Sequence, residues 1–168
     1  GDDDYAKTIG VNYYTEWDIL TQYCGDRDLA KKMIDVFQER LYAGFRQGLV
    51  PFKKGALELI NDLNAHHVPI CLATSSDLEK VRLSFNSHDV EVPFENIVTG
   101  REISHSKPDP EIFLKAAGKM GVDIRECAII EDSLKGMTGA ISAGACSIMV
   151  PDLQEPTETI RSQAGYIK

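Results

Sequence analysis

The sequence has no long apolar run and a shortage of basic residues. No stretch approaches the roughly 20 consecutive apolar residues of a membrane-spanning helix, which argues against a membrane partner. The 18 Lys and Arg residues are outnumbered by 26 Asp and Glu, for a formal net charge of -8. Because phosphate backbones are bound by Lys and Arg patches, this balance disfavours nucleic acid as a partner. A small phosphate ester needs only a local positive site, so that ligand class stays open.

Cysteine is scarce, and no C-x-x-C pair occurs. The four cysteines are Cys24, Cys71, Cys127 and Cys146. The last three lie in apolar runs, which predicts buried free thiols in strands, with disulfides or a thiol nucleophile as alternatives. The first residues are acidic and show no signal-peptide pattern. We therefore expect a reducing, cytoplasmic setting.

Two kinds of apolar spacing divide the chain. Helical spacing over 15–45, interrupted at Gly25-Asp26, predicts a helical lobe at 1–48. From 49 to 168, short apolar runs alternate with helical patterns. Strands are predicted at 67–73, 96–99, 127–131, 146–150 and 165–167, and helices at 54–66, 78–87, 108–120 and 133–143. Apolar strands separated by helices indicate an α/β domain with a parallel sheet covered on both faces.

Polar residues suited to phosphate chemistry follow or flank these predicted strands. They are Thr74, Ser75, Ser76, Lys107, Glu131 and Asp132. Functional groups of an open parallel sheet lie beyond the carboxyl ends of its strands, so these side chains should share one edge. Hydroxyls and N–H groups near a helix start bind phosphate oxygens, and a lysine neutralises a transferring phosphoryl group. Adjacent carboxylates repel unless a cation lies beside them, and a site of this kind suits Mg²⁺.

Each of these features has a simpler explanation when taken alone. Ser76 or Asp77 fits a helix N-cap, as does Asp132 or Ser133 in the later segment. Lys107 alone is typical of a solvated loop. Their occurrence in this order on successive strand ends favours a phosphoryl-transfer site over three unrelated features.

At these residues the chain resembles the haloacid dehalogenase (HAD) superfamily, in its β-phosphoglucomutase-like phosphatase branch. The similar segments are PFKKGALELINDL, ICLATSSD, ISHSKPDPEIFLKAA and CAIIEDSLKGMTGAISAGA. The K-P-D-P-E-I-F and I-I-E-D-S-x-x-G segments are the most specific of them. The resemblance implies an incomplete Rossmann-like parallel-sheet core at 49–168, without its first strand, and a partial helical cap at 1–48.

The resemblance also implies roles for the phosphate-binding residues. Thr74 would bind the transferring phosphoryl group, Ser75 would add its backbone N–H, and Ser76 would place a hydroxyl near the substrate. Lys107 would stabilise the nucleophile and the phosphoryl charge. These residues would bind a small phosphorylated metabolite such as a sugar phosphate or a nucleotide monophosphate.

The metal and packing roles are implied in the same way. Asp132 would bind Mg²⁺ directly, and Glu131 would do so directly or through water. Gly136 and Gly144 would be packing glycines of the following helix and turn.

The family's first motif, an apolar strand ending in D-x-D-x-T, is not found in the sequence. Asp2 and Asp4 have the D-x-D spacing, but no strand precedes them and Ala6 stands where the hydroxyl belongs. We therefore predict a solvated acidic end there. The segment Thr8-Ile9-Gly10 resembles a point inside the family's cap, so the first strand and its nucleophilic Asp are expected upstream. The chain alone is then expected to be inactive.

These expectations leave several functions open. The leading one is Mg²⁺-dependent hydrolysis of a phosphate monoester through an aspartyl-phosphate in the intact protein. A phosphosugar mutase is the nearest alternative, and Asp77 weighs against it because a second phosphate would prefer a cation there. A non-catalytic binding protein is the alternative of a different class. The substrate and the oligomeric state stay open.

Overall fold

The computed structural model describes residues 11–168, which begin with two helices. Helix α1 spans Tyr13–Cys24, and its N-cap Asn12 accepts a hydrogen bond from the Thr15 N–H. Helix α2 spans Arg27–Arg46 and is capped by Asp26. Between them Gly25 takes a left-handed conformation with φ of 67°, which a residue without a Cβ adopts easily. The predicted break between the two helices is thus confirmed.

The rest of the described chain alternates helices and strands. The elements are α3 Ala56–Ala65, β1 Cys71–Thr74, α4 Leu78–Asn86, β2 Asn96–Thr99, α5 Glu111–Met120, the 3-10 turn Ile124–Glu126, β3 Ala128–Glu131, α6 Leu134–Ala143, β4 Cys146–Met149, α7 Glu158–Gln163 and β5 Tyr166–Ile167. Each strand and helix predicted from the apolar pattern is present, with bounds shifted by a few residues. Helix α7 was not predicted.

All strand pairs among the described residues are parallel. Strand β1 pairs with β2, with Cys71 opposite Asn96, and β3, β4 and β5 pair in that order. Within residues 11–168, β1 and β3 each pair along one edge and belong to separate sheets. The resemblance places the family's first strand between them. Residues 1–10, with Asp2, Asp4 and the segment Thr8-Ile9-Gly10, lie outside the described residues.

One core joins the two sheets. Helix α5 packs on β1, β2 and α6, while α6 packs on β3 and β4. The buried cluster between them consists of Val98, Ile112, Phe113, Ala116 and Ala140, with Ala73 of β1 and Ile129 of β3 against it. Strands β1 and β3 are therefore held against the same apolar cluster. This arrangement confirms the predicted α/β class.

The expected burial of the thiols is wrong in part. All four cysteines are free, but Cys146 is exposed and Cys127 and Cys71 are half-buried. Cys146 is the first residue of β4, and Cys127 precedes β3, so both stand at the ends of their strands rather than in the core. Among the described helices, none has the length and apolar character needed to cross a bilayer. A boundary between cap and core at residue 48 stays a prediction.

Candidate active site

The chain turns sharply where β1 ends. The Thr74 hydroxyl accepts a hydrogen bond of 3.1 Å from the Ser76 N–H. Helix α4 then begins, and Asp77 is its N-cap, accepting from the Lys80 N–H at 2.9 Å. Because Asp77 caps the helix, the Ser76 hydroxyl is not needed for that purpose. The turn presents its hydroxyls at the sheet edge where the phosphate was predicted.

Lys107 and Glu131 form a buried ion pair. Their exposed fractions are 7% and 9%, and the Lys107 Nζ donates to the Glu131 Oε1. The Lys107 Nζ also lies 5.0 Å from the centroid of the Phe113 ring. The burial rules out the solvated-loop explanation for this lysine. A pair so removed from water is stable only when both charges are well satisfied.

The second carboxylate oxygen of Glu131 is held by the start of helix α6. It accepts hydrogen bonds from the Asp132 N–H at 3.2 Å, the Ser133 N–H at 3.4 Å and the Ser133 hydroxyl at 3.2 Å. The same Ser133 oxygen caps α6 by accepting from the Gly136 N–H at 3.0 Å. A Cβ on Gly136 would overlap the Glu131 carboxylate. Gly136 is therefore needed for close approach, and Glu131 is fixed in one position.

Asp132 differs from its neighbour because it reaches solvent. Neighbouring protein atoms nonetheless remove part of the hydration of its carboxylate, which raises the pKa of Asp132. The Glu131 charge raises this pKa further. Lys53 opposes the shift, and its Nζ pairs with Asp152 at 2.8 Å. A carboxylate in this setting is relieved by a cation. The residues thus fit a small hard cation, with Asp132 as the carboxylate whose side chain is free to bind it.

Hydrogen bonds join the loops at this sheet edge to the start of α1. Gly100, just after β2, donates its N–H to the Ser76 carbonyl at 3.4 Å. The Asn12 side-chain amide donates to the Gly100 carbonyl at 3.5 Å, and the Asn12 N–H donates to the Ser106 hydroxyl at 3.4 Å. The Thr15 and Ser106 hydroxyls lie 3.0 Å apart. The turn after β1 and the loop that carries Lys107 are therefore joined through one residue of the helical segment.

Tyr42 makes a second link between the helices and the sheet edge. Its hydroxyl, on α2, donates to the Asp77 carboxylate at 3.2 Å. Burial and the Asp77 charge raise the pKa of Tyr42 to about 12, so the phenol stays protonated as a donor. Sequence reasoning missed this contact because 35 residues separate the partners and no motif marks Tyr42.

A cavity of about 380 Å³ lies beside these contacts. It is bounded by α1 and α2 and by the loops after β1 and β2. Its lining includes Tyr13, Tyr14, Glu16, Tyr42, Ser75, Ser76, Asp77, Lys80 and Arg101. Among the aromatic residues at the start of α1, Tyr13 and Tyr14 line this cavity. Trp17 does not, and the Arg27 guanidinium lies 4.1 Å from the centroid of its ring.

A second acidic cluster near Lys107 has a structural role. Ligand atoms of His105, Asp109 and Glu111 lie within 4.8 Å of one another. The Glu111 carboxylate already accepts from the Ser104 and His105 N–H groups, at 3.0 and 2.8 Å, and pairs with Lys115 at 3.0 Å. These contacts tie the loop before Lys107 to the start of α5. His105 thus supports this loop, and its side chain is 73% exposed.

Similarity to known proteins shows the family of the chain. The family model of haloacid dehalogenase-like hydrolases matches residues 2–150. The chain belongs to this family. A probable pseudouridine-5'-phosphatase of Drosophila melanogaster is 43% identical over 104 residues, which are 58% of this chain and 45% of that protein. A bifunctional riboflavin kinase/FMN phosphatase of Arabidopsis thaliana is 34% identical over 162 residues, 95% of this chain and 42% of that protein. The chain therefore spans about half the length of these curated relatives.

Solved structures show the same fold. A hydrolase from Pseudomonas syringae superposes with a TM-score of 0.83 at 24% identity, over 99% of this chain and 77% of that one. A β-phosphoglucomutase from Clostridium difficile gives 0.79 at 18% identity, over 100% of this chain and 75% of that one. At these identities the likeness concerns the fold alone.

Proposed function

We propose that the intact protein hydrolyses a small phosphate monoester by Mg²⁺-dependent phosphoryl transfer through an aspartyl-phosphate. The observation that carries this proposal is the buried Lys107–Glu131 pair beside the solvent-accessible Asp132. The buried lysine, held in place by a carboxylate, offers a positive charge to a bound anion. The neighbouring acid offers a negative charge to a bound cation. The relatives named as phosphatases support the same reaction class.

Each site residue of the chain would have its own role in phosphoryl transfer. Thr74, the Ser75 N–H and the Ser76 hydroxyl bind phosphoryl oxygens at the end of β1. Lys107 neutralises charge on the phosphoryl group and on the attacking Asp, while Glu131 holds Lys107 in position. The attacking carboxylate comes from an Asp outside the described residues. It displaces the alcohol of the ester from phosphorus, and water then hydrolyses the resulting acyl phosphate, which releases inorganic phosphate and regenerates the carboxylate.

The cation site would centre on Asp132. Both Glu131 oxygens already accept hydrogen bonds, so Asp132 would be the main residue that holds the ion, with Glu131 supporting it directly or through water. Bound Mg²⁺ supplies charge neutralisation for the phosphoryl oxygens. The links from Asn12 and Tyr42 hold the helical segment over the edge, where it would limit the entry of water.

The test is turnover by the full-length protein of a panel of sugar phosphates and nucleotide monophosphates. We expect phosphate release with Mg²⁺ and none after chelation, with recovery on adding Mg²⁺ back. Asp132→Asn should lower kcat by at least about 100-fold, as for removal of a charge-stabilising group. Asp28→Asn, an exposed acid at the start of α2, is the matched control. A full-length protein that binds these esters without turning over any of them would instead favour the non-catalytic alternative.

Asp77 argues against the phosphosugar mutase alternative. This carboxylate lines the cavity and accepts from Lys80 and Tyr42, so it places negative charge where a second phosphate would have to bind. Conversion of a hexose 1-phosphate to the 6-phosphate by the full-length protein would overturn this preference.

A further inference from the structure

We propose that Glu16 and Lys80 are specificity residues that bind hydroxyl groups on the organic part of the substrate. The inference rests on the proposed phosphatase function and assigns the cavity of about 380 Å³ to the part of the ester that is not phosphate. Ser75 and Ser76, the proposed phosphate-binding residues, form part of its wall. An ester whose phosphate lies on the turn after β1 would therefore extend its organic part into this cavity.

Glu16 and Lys80 line the cavity from two different helices. Glu16 is on α1, Lys80 is on α4, and both are half-buried and line the cavity. Burial raises the pKa of Glu16 and lowers that of Lys80, while their mutual attraction opposes both shifts. Among the described residues neither side chain has a hydrogen-bond or ion-pair partner. A partly desolvated charge that makes no hydrogen bond gains most from a ligand that supplies one. Glu16 needs a hydrogen-bond donor and Lys80 needs an acceptor. A hydroxyl group can act as either.

The charge of the cavity sets the class of ligand. Its ionisable walls hold three acids, Glu16, Asp35 and Asp77, against two bases, Lys80 and Arg101. Asp35 pairs with Lys31 at 2.6 Å and Asp77 pairs with Arg101 at 3.5 Å, so these charges are balanced, and the charges of Glu16 and Lys80 offset each other. Walls whose charges cancel suit a neutral polar group better than a second phosphate. The organic part is therefore uncharged and hydroxylated, as in a sugar or a polyol.

The size of the cavity narrows the class further. Ligand sites range over about 300–1,000 Å³, and this cavity of about 380 Å³ is near the lower limit. A group of monosaccharide or short-polyol size fits, whereas a dinucleotide does not. The substrate class is thus a sugar or alditol monophosphate rather than a bisphosphate.

The experiment compares two esters in the full-length protein. The first is the best substrate among pentose, hexose and alditol monophosphates, and the second is 4-nitrophenyl phosphate, whose organic part carries no hydroxyl. The measured quantity is the ratio of the two kcat/KM values. Glu16→Gln and Lys80→Gln should each lower this ratio about 10–100-fold, the loss expected for one hydrogen bond to a charged group. Glu39→Gln and Lys32→Gln, exposed changes on α2 outside the cavity, should leave the ratio unchanged.

The outcomes separate the two proposals. The cavity assignment is overturned if wild type hydrolyses 4-nitrophenyl phosphate but Glu16→Gln and Lys80→Gln leave the ratio of kcat/KM values unchanged. It is also overturned if sugar bisphosphates react as well as monophosphates. If wild type hydrolyses no ester, the proposed function fails, and calorimetry with hexose 6-phosphate and inorganic phosphate then tests the cavity by itself. The sugar ester should bind more tightly than phosphate, and Glu16→Gln should remove most of that difference. Equal affinities in wild type would refute the assignment.

Discussion

Replacing Lys107 by Met tests how the buried ion pair contributes to stability and to activity. The change keeps the length of the side chain and removes its charge, which leaves the Glu131 carboxylate buried without its cation. Breaking a buried pair in this way costs about 3–5 kcal/mol. Three donors from Asp132 and Ser133 still reach Glu131, so we expect the lower limit of about 3 kcal/mol. For a chain of 168 residues this lowers Tm by about 6–12 °C.

The assay is urea unfolding of the full-length protein, combined with phosphate release. Lys107→Met combined with Glu131→Gln should recover most of the lost stability, because no unpaired charge is then buried. Neither variant should regain activity, since both lack the positive charge for the phosphoryl group. Lys115→Met, which removes a more exposed partner of Glu111, is the control and should cost under about 1 kcal/mol.

Two results would refute this reasoning about the pair. One is a single Lys107→Met variant within about 1 kcal/mol of wild type, which would mean that water reaches Glu131 freely. The other is a double variant no more stable than the single one, which would mean that loss of the ammonium contact with the Phe113 ring dominates the destabilisation.

Two further predictions concern the supports of the site. Gly136→Ala places a methyl group against the Glu131 carboxylate, so it should cost about 1–3 kcal/mol in urea unfolding and lower kcat. The control is Gly118→Ala, at a helical glycine whose added Cβ meets nothing within 4 Å; this change should stabilise the protein by up to about 1 kcal/mol. Equal effects of the two changes would contradict a clash between the added methyl group and Glu131. The pKa of Glu111 is lowered to about 2, first by the backbone N–H of Ser104. Its folded-state pKa lies below the unfolded value, so its contribution is complete above about pH 4.5 and is lost as the pH falls toward 2. Glu111→Gln should therefore lose less stability than wild type between those pH values, and parallel curves would contradict this.

The strands were predictable because their apolar runs have clear limits. Strand β2 has the predicted bounds, Asn96–Thr99. Strand β1 begins at Cys71 rather than at 67 because His67 has φ of 55° and Pro69 has no N–H to donate to a ladder. Helix α5 begins one residue after Pro110, which stands at its N-cap. The errors at strand and helix ends therefore follow from backbone constraints of single residues.

The contacts of the site depend on long-range packing, which local patterns do not encode. The residue types at 74, 107, 131 and 132 are the basis of the predicted chemistry. Nothing local shows that Lys107 pairs with Glu131, 24 residues away, or that Asn12 contacts Gly100 and Ser106 across 88 and 94 residues. Tyr42 and Lys80 carry no motif at all. Their positions follow from how α2 packs on α4.

Helix α5 has a consequence for how the molecule unfolds. Strand hydrogen bonds among the described residues run within the β1–β2 pair and within the β3–β5 group, whereas α5 touches the first pair directly and reaches the second group through α6. Cooperativity between the two halves thus depends on side chains on one helix rather than on a continuous backbone ladder. A cavity introduced at Phe113 should uncouple them, so that amide protection is lost in β1 and β2 at a lower urea concentration than in β3 and β4. Any segment that pairs with both β1 and β3 would restore a single transition.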